Sequence, residues 1–192
     1  MKLGVFGGTF NPIHLGHLLL AEAAAEALAL DRVLFIPAAT PPHKRPRQLA
    51  NARDRLRMVR LAIRGNDRFR CSDMEIRRDG PSYSVETLRH LRRLMPGARF
   101  FFLIGTDSLR ELHTWKEASA LARLCEFICV LRPGERAGRS RLRGLRVHHV
   151  HGHPTDISSS DIRARLARGA SVRYLMPEPV RRYIQKKRLY RT

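Results

Sequence analysis

The run Gly7-Gly8-Thr9-Phe10-Asn11-Pro12-Ile13-His14-Leu15-Gly16-His17 gathers two glycines, a hydroxyl and two imidazoles into a short stretch of chain. Histidines three positions apart share one face of a helix, so His14 and His17 would lie beside the same ligand. Imidazole donors in that arrangement suit negative charge developing on a transferring phosphoryl group. The glycines before them let backbone approach a ligand closely, and the N–H groups of a helix start favour phosphate. A second cluster, Ile157-Ser158-Ser159-Ser160-Asp161-Ile162-Arg163, carries three hydroxyls and a guanidinium. Ser158 and Asp161 have capping-box spacing, although Glu or Gln is the usual partner, so a capped helix start accounts for the pattern by itself. The same hydroxyls and amides, with Arg163 one turn in, would equally hold phosphate oxygens. Lys44, in Pro41-Pro42-His43-Lys44, is either a solvated charge or a point charge reaching a polyphosphate.

These residues need elements to position them. The chain alternates short apolar strands with amphipathic helices, the pattern of an α/β domain with a mainly parallel sheet. Residues 3–6 read as a strand that stops at Gly7-Gly8, and residues 15–30, rich in Ala and Leu, as the helix that follows. The first cluster therefore lies between a strand and a helix, at the sheet end where ligands bind in such folds. Residues 33–36 form the next strand, and a Pro-rich loop runs from 37 to about 48. Asn51 caps a helix with Asp54 as its partner three residues on, and that helix ends near Gly65. Residues 69–76, 99–104, 125–131 and 146–150 read as strands, and 136–146 as a basic, turn-rich loop. Residues 84–94, 159–168 and 179–189 read as helices.

A length of 192 residues fits a single domain, 1–192, able to bury its own core. No apolar run approaches the ~20 residues that cross a bilayer. The apolar start is broken at once by Gly7-Gly8 and Asn11-Pro12, unlike a secretory signal, so a cytoplasmic location without membrane attachment is expected. The cysteines, Cys71, Cys125 and Cys129, suit neither a disulfide framework nor a redox pair, and Cys125 and Cys129 would face one side of a strand as small buried hydrophobes. No Cys/His cluster has structural-zinc spacing, and no pairing suggests a nucleophilic triad, so no protein-bound metal is expected. The net charge of +20 comes almost wholly from arginine spread along the chain. Spread charge is a surface bias, so nucleic acid is not expected as a partner beyond nonspecific attraction.

The first cluster resembles the His-x-Gly-His signature of the nucleotidyltransferase superfamily related to class I tRNA synthetases, and the second its Ile-Ser-Ser-Thr-x-x-Arg signature, with Ser160 in place of Thr. Pro41-Pro42-His43-Lys44 resembles a loop of the nicotinate mononucleotide adenylyltransferases within it. Gly80-Pro81-Ser82-Tyr83-Ser84-Val85-Glu86-Thr87-Leu88, Gly105-Thr106-Asp107, Trp115-Lys116, Leu131-Arg132-Pro133-Gly134 and the segment from Tyr174 to Tyr190 are similar to further segments of that family, so the resemblance covers essentially the whole chain. It implies a Rossmann-like doubly wound sheet with helices on both faces and a C-terminal helical segment. It implies ATP at Gly7, Gly8, Thr9, Phe10, His17, Gly105, Asp107, Ile157, Ser158, Ser159 and Arg163. Nicotinate mononucleotide would lie at Thr40, Lys44, Tyr83, Ser84, Trp115 and Arg132.

The implied reaction joins the mononucleotide phosphate to the α-phosphate of ATP, giving deamido-NAD and pyrophosphate. The attacking phosphate is already an anion, so catalysis is alignment and charge neutralisation. His14, His17, Lys44 and Arg163 are the expected catalytic set. The histidines would contact the α-phosphoryl and bridging oxygens; Lys44, the Ser158–Ser160 helix start and Arg163 would hold the β- and γ-phosphates. Mg²⁺ would bridge phosphate oxygens, bound mostly through substrate and water. Phosphopantetheine or nicotinamide mononucleotide as acceptor, or a nucleic-acid-binding protein on a nucleotide fold, are the competing readings. A homo-oligomer is compatible with the sequence, which does not fix its size.

Overall fold

The computed structural model describes residues 1–41, 49–131, 140, 142–153 and 155–191. Strands β1 (Lys2–Gly8), β2 (Arg32–Pro37), β3 (Phe69–Cys71), β4 (Arg99–Gly105), β5 (Glu126–Leu131) and β6 (Val147–His151) form a six-stranded sheet in the order β3-β2-β1-β4-β5-β6. Every neighbouring pair is parallel. That order is the Rossmann-like, doubly wound one, and it reverses between β1 and β4, where a crevice opens beyond the strand ends.

Alternation along the strands decides which helices cover which face, because successive side chains point to opposite sides. Phe6, Val33, Phe35, Phe101, Leu103, Ile128 and Val130 belong to one buried cluster, under α1 (Leu15–Ala27), α2 (Ala52–Ala62), α6 (Ser159–Ala167) and α7 (Glu178–Lys187). Leu3, Val5, Ile36, Phe100, Phe102, Ile104 and Phe127 belong to the other, under α3 (Ser84–Leu94), α4 (Thr106–Glu111) and α5 (Ala118–Leu124). Cys125 and Cys129 join the second cluster as buried thiols, and burial pushes Cys125 up to about 12. The cap on α2 forms as the spacing predicts: Asn51 Oδ1 accepts from the Asp54 N–H at 2.8 Å. The reciprocal bond differs, since the Asp54 carboxylate takes the Asn51 side-chain amide at 2.6 Å.

Several boundaries shift. The first helix ends at Ala27, short of residue 30, because Ala29 turns left-handed (φ 47°) and the Leu30 N–H returns to the Ala25 carbonyl at 2.9 Å. The strand expected over 69–76 stops at Cys71. Beyond it the Arg77 N–H bonds the Asp73 carbonyl at 3.0 Å, and the chain turns so that Glu75 is buried. The last helix closes at Lys187 because Arg188 is left-handed (φ 50°). Residues 106–124 hold α4, a 3₁₀ turn at Leu112–Thr114 and α5. Of the loop expected over 136–146, residues 136–139 and 141 lie outside the described residues, and residues 142–144 bend and turn ahead of β6.

Candidate active site

The loop from β1 to α1 is built around a buried aromatic wedge. Phe10 is left-handed (φ 47°) and 2% exposed, packed on Phe6, Phe35 and the His17 ring. A Cβ on Gly8 would meet the Phe10 ring at 3.0 Å, so that glycine makes room for the wedge. With its ring in the core, Phe10 presents only backbone to a ligand. Asn11-Pro12 is cis, and His14 then caps α1 in an extended conformation. The His14 N–H donates to His17 Nδ1 at 3.2 Å. A neutral imidazole whose Nδ1 accepts carries its proton on Nε2, so His17 is set as an Nε2–H donor. The His14 and His17 rings lie 3.8 Å apart between centroids. Gly16 has a spatial reason as well: a Cβ there would stand 3.0 Å from His14 Nδ1.

The amides of α1 are less open than a bare helix start. The Leu15 N–H is taken by the Leu175 carbonyl at 3.0 Å, and the His17 N–H by the His14 carbonyl at 3.0 Å. The α6 start is more available. Ser158 caps it, its Oγ accepting the Asp161 N–H at 3.1 Å. The amides of Ser159 and Ser160 make no hydrogen bond among the described residues. Asp161 turns outward to Arg165 at 2.8 Å and does not complete a capping box.

The two clusters, expected to converge on phosphate, are bonded to one another. Ser159 Oγ donates to the Pro12 carbonyl at 2.9 Å, and Arg163 Nη1 to the Asn11 carbonyl at 2.8 Å. Arg163 Nη2 donates to Ser160 Oγ at 3.3 Å. Arg163 thus joins loop to helix, with part of its fork already used. Ile157 packs against the core cluster beneath α1.

Across the crevice, Gly105 closes β4 and precedes α4, with nothing within 4 Å of where its Cβ would stand. Asp107 sits in the first turn of α4, 70% exposed and bonded to Arg110 at 3.4 Å. Of the expected acceptor residues, Thr40 is brought beside the segment that holds Tyr83 and Ser84. The Ser82 N–H donates to the Thr40 carbonyl at 3.0 Å, and Ser82 Oγ accepts the Ala39 N–H at 2.9 Å, joining the end of β2 to the start of α3. Tyr83 caps α3 and Ser84 opens it. Lys116 bridges to the neighbouring segment, its Nζ 4.3 Å from the Tyr83 ring centroid and 2.7 Å from Glu86. Trp115 stands beside Lys116, edge-on to Phe102 with centroids 6.0 Å apart. Lys44 and Arg132 lie outside the described residues.

Four residues absent from the expected set support it. Asn11 Oδ1 accepts the Ala50 N–H at 3.1 Å and the Tyr190 O–H at 2.7 Å, tying the C-terminus to the loop. Arg55 is 1% exposed beneath Thr9. Glu75 is buried and accepts the Thr87 O–H at 2.6 Å. Burial pushes the Glu75 carboxyl above its usual range, while its bonds to Thr87 and Ser82 pull the other way. Asn11 was visible within the first cluster; Arg55, Glu75 and Tyr190 carry no local signal. Among the described residues no helix is long and apolar enough to cross a membrane.

A parallel sheet that reverses between β1 and β4 and two signature clusters bonded to one another beside that point define a nucleotidyl-transfer class of site, and residues 5–165 match the family model described as cytidylyltransferase-like. A "Probable nicotinate-nucleotide adenylyltransferase" of Exiguobacterium sibiricum is 48% identical over 192 residues, all of both chains. One of the same name from Geobacter metallireducens is 46% identical over 213 aligned positions, covering 99% of this chain and 98% of its own. The chain belongs to the nicotinate-nucleotide adenylyltransferase family. A Plasmodium falciparum nicotinic acid mononucleotide adenylyltransferase complexed with NaAD has the same fold, with a TM-score of 0.84 at 19% identity over 98% of this chain and 97% of that one.

Proposed function

We propose that this chain transfers the adenylyl group of ATP to nicotinate mononucleotide, releasing pyrophosphate and giving deamido-NAD. The observation that carries the reading is the 48% identity to an adenylyltransferase of that name along the whole of both chains. The joined signature clusters agree with it. Residues 1–192 act as one domain in this proposal, in the cytoplasm.

The roles in this proposal are assigned as follows. His17, donating from Nε2, and His14 beside it face the α-phosphoryl and bridging oxygens as negative charge builds there. The α6 start, with the amides of Ser159 and Ser160, holds the outgoing pyrophosphate. Arg163 contributes charge at the same place and Lys44 adds a point charge. On the other side of the crevice Tyr83 and Trp115 flank the pyridine ring, and backbone N–H groups at Ser84 take its carboxylate. Among the described residues no three His, Cys, Asp or Glu side chains lie together as a metal ligand set. Mg²⁺ in this proposal travels with the ATP phosphates and neutralises part of their charge.

Pyrophosphate release from MgATP, run in parallel with nicotinate mononucleotide, nicotinamide mononucleotide and phosphopantetheine, tests the proposal. At least tenfold faster release with nicotinate mononucleotide is expected. Faster release with another acceptor would keep the chemistry and overturn the roles of Tyr83, Ser84 and Trp115.

A further inference from the structure

Among the described residues Arg55 is the largest side chain that is fully buried, and its fork is spent on three separate segments. Nε donates to the Ala50 carbonyl at 3.0 Å, Nη1 to the Thr9 carbonyl at 2.8 Å and Nη2 to the Ala39 carbonyl at 3.1 Å. All three acceptors are backbone carbonyls, so a desolvated cation is held without a carboxylate in those bonds. Burial lowers its proton affinity accordingly. A buried charge is costly unless such bonds offset it. Residues joined at that cost in an ordinary packing role would be replaceable by an apolar side chain.

The three segments are those that carry the candidate site. Thr9 lies between Gly8 and the Phe10 wedge, on the ATP side. Ala39 follows β2 and precedes Thr40, whose carbonyl holds Ser82 one residue from Tyr83, on the acceptor side. Ala50 is gripped at both ends, its carbonyl by Arg55 and its N–H by Asn11 Oδ1. We propose that Arg55 is a positioning residue for adenylyl transfer: its guanidinium fixes the ATP-side loop at Thr9 against the acceptor-side backbone at Ala39, setting the alignment of the two reacting phosphates. The guanidinium spreads its donors over a planar fork that reaches three separated carbonyls, whereas a lysine ammonium has three donors all on one atom. Alignment is steep in energy, and about 1 Å of displacement lowers turnover by ~10²-fold. The inference rests on the adenylyl-transfer reading.

The test compares the whole chain with Arg55→Lys and Arg55→Gln, measuring kcat, both KM values and the folded fraction from circular dichroism melts. Positioning predicts that kcat per folded Arg55→Lys molecule falls ten- to a hundredfold, with each KM changing less than about threefold. Arg55→Gln, a smaller donor without the fork, should fall at least as far. A kcat per folded molecule within twofold of the unaltered chain in either variant would make Arg55 a packing residue and overturn the proposal. If both variants fail to fold, Ser82→Ala, which cuts the Ala39 link on the acceptor side, takes their place; an unchanged kcat there would equally overturn it. Should the unaltered chain release no pyrophosphate with any acceptor, the functional reading fails separately. Amide hydrogen exchange then decides the Arg55 arrangement: faster exchange of the Ala39 and Ala50 N–H groups in folded Arg55→Lys supports it, and unchanged exchange overturns it.

Discussion

His17 shows how a single residue acquires a role from its neighbour's backbone. Acceptance of the His14 N–H by Nδ1 orients the ring and leaves the Nε2 proton as the donor. Replacing His17 with Ala removes that donor, and kcat should fall by ~10²-fold, the usual loss for one oxyanion-type contact. Near-normal turnover by folded His17→Ala would remove it from the mechanism. Gly16 is a sharper probe, because its effect is purely spatial. Alanine is favoured over glycine in a helix by roughly 0.5–1 kcal/mol, so Gly16→Ala alone should not weaken α1. Its Cβ would nevertheless stand 3.0 Å from His14 Nδ1 and displace that ring. The expected result is a loss of kcat of about tenfold or more with the melting temperature held or raised. Unchanged kcat would mean that the placement of the His14 ring does not limit turnover.

At the scale of elements, α3 is anchored from below by a buried carboxyl. Glu75 comes from the turn after β3, accepts from Thr87 within α3 and lies beside Ser82, which precedes it. Its folded pKa is raised by burial, so the folded state keeps a proton over a range where the unfolded chain has lost it. The sign follows: its contribution to stability is fully present below the unfolded value near 4.5 and declines as pH rises through the higher folded value. Glu75→Gln keeps an oxygen acceptor for Thr87 and cannot ionise. The melting temperature of Glu75→Gln relative to the unaltered chain should therefore climb as pH is raised from about 4 upward, in melts at a series of pH values. A difference that stays constant with pH would show that Glu75 is not held protonated on folding. Sheet elements divide in the same physical way. β1, β4 and β5 are buried on both faces and read from sequence as continuous apolar runs, while β3 at the sheet edge needs only three residues before the chain turns away.

Over the whole molecule the charge of +20 is the feature most open to misreading. Part of the arginine is spent internally. Arg55 is a core residue, Arg163 joins α6 to the β1–α1 loop, and Arg89, Arg99 and Arg181 pair with Glu117, Glu126 and Glu178. Binding to single-stranded RNA and duplex DNA should therefore be weak near 0.15 M salt and climb as salt is lowered, without sequence preference. Tight, sequence-dependent binding at physiological salt, measured by fluorescence anisotropy, would show a dedicated nucleic-acid surface instead. The same wide spacing of contacts closes the site: Ser159 reaches Pro12 across 147 positions and Arg163 reaches Asn11 across 152.

The sequence alone determined the α/β class, the two signature clusters, the Asn51 cap and the buried character of Cys125 and Cys129. Each depends on periodicity or on neighbours within a few residues, where side-chain chemistry and backbone propensity act directly. Tertiary structure alone decided that Arg163 bonds the Asn11 carbonyl, that Gly8 and Gly16 make room for the Phe10 and His14 rings, and that Glu75 leaves a strand to anchor α3. It also turned Arg55 inward, although one arginine among several on an amphipathic helix reads locally as solvated. These outcomes depend on which carbonyls and rings distant segments bring to the same few ångströms. That information lies in the packing of the two faces of the sheet, and no window along the chain contains it.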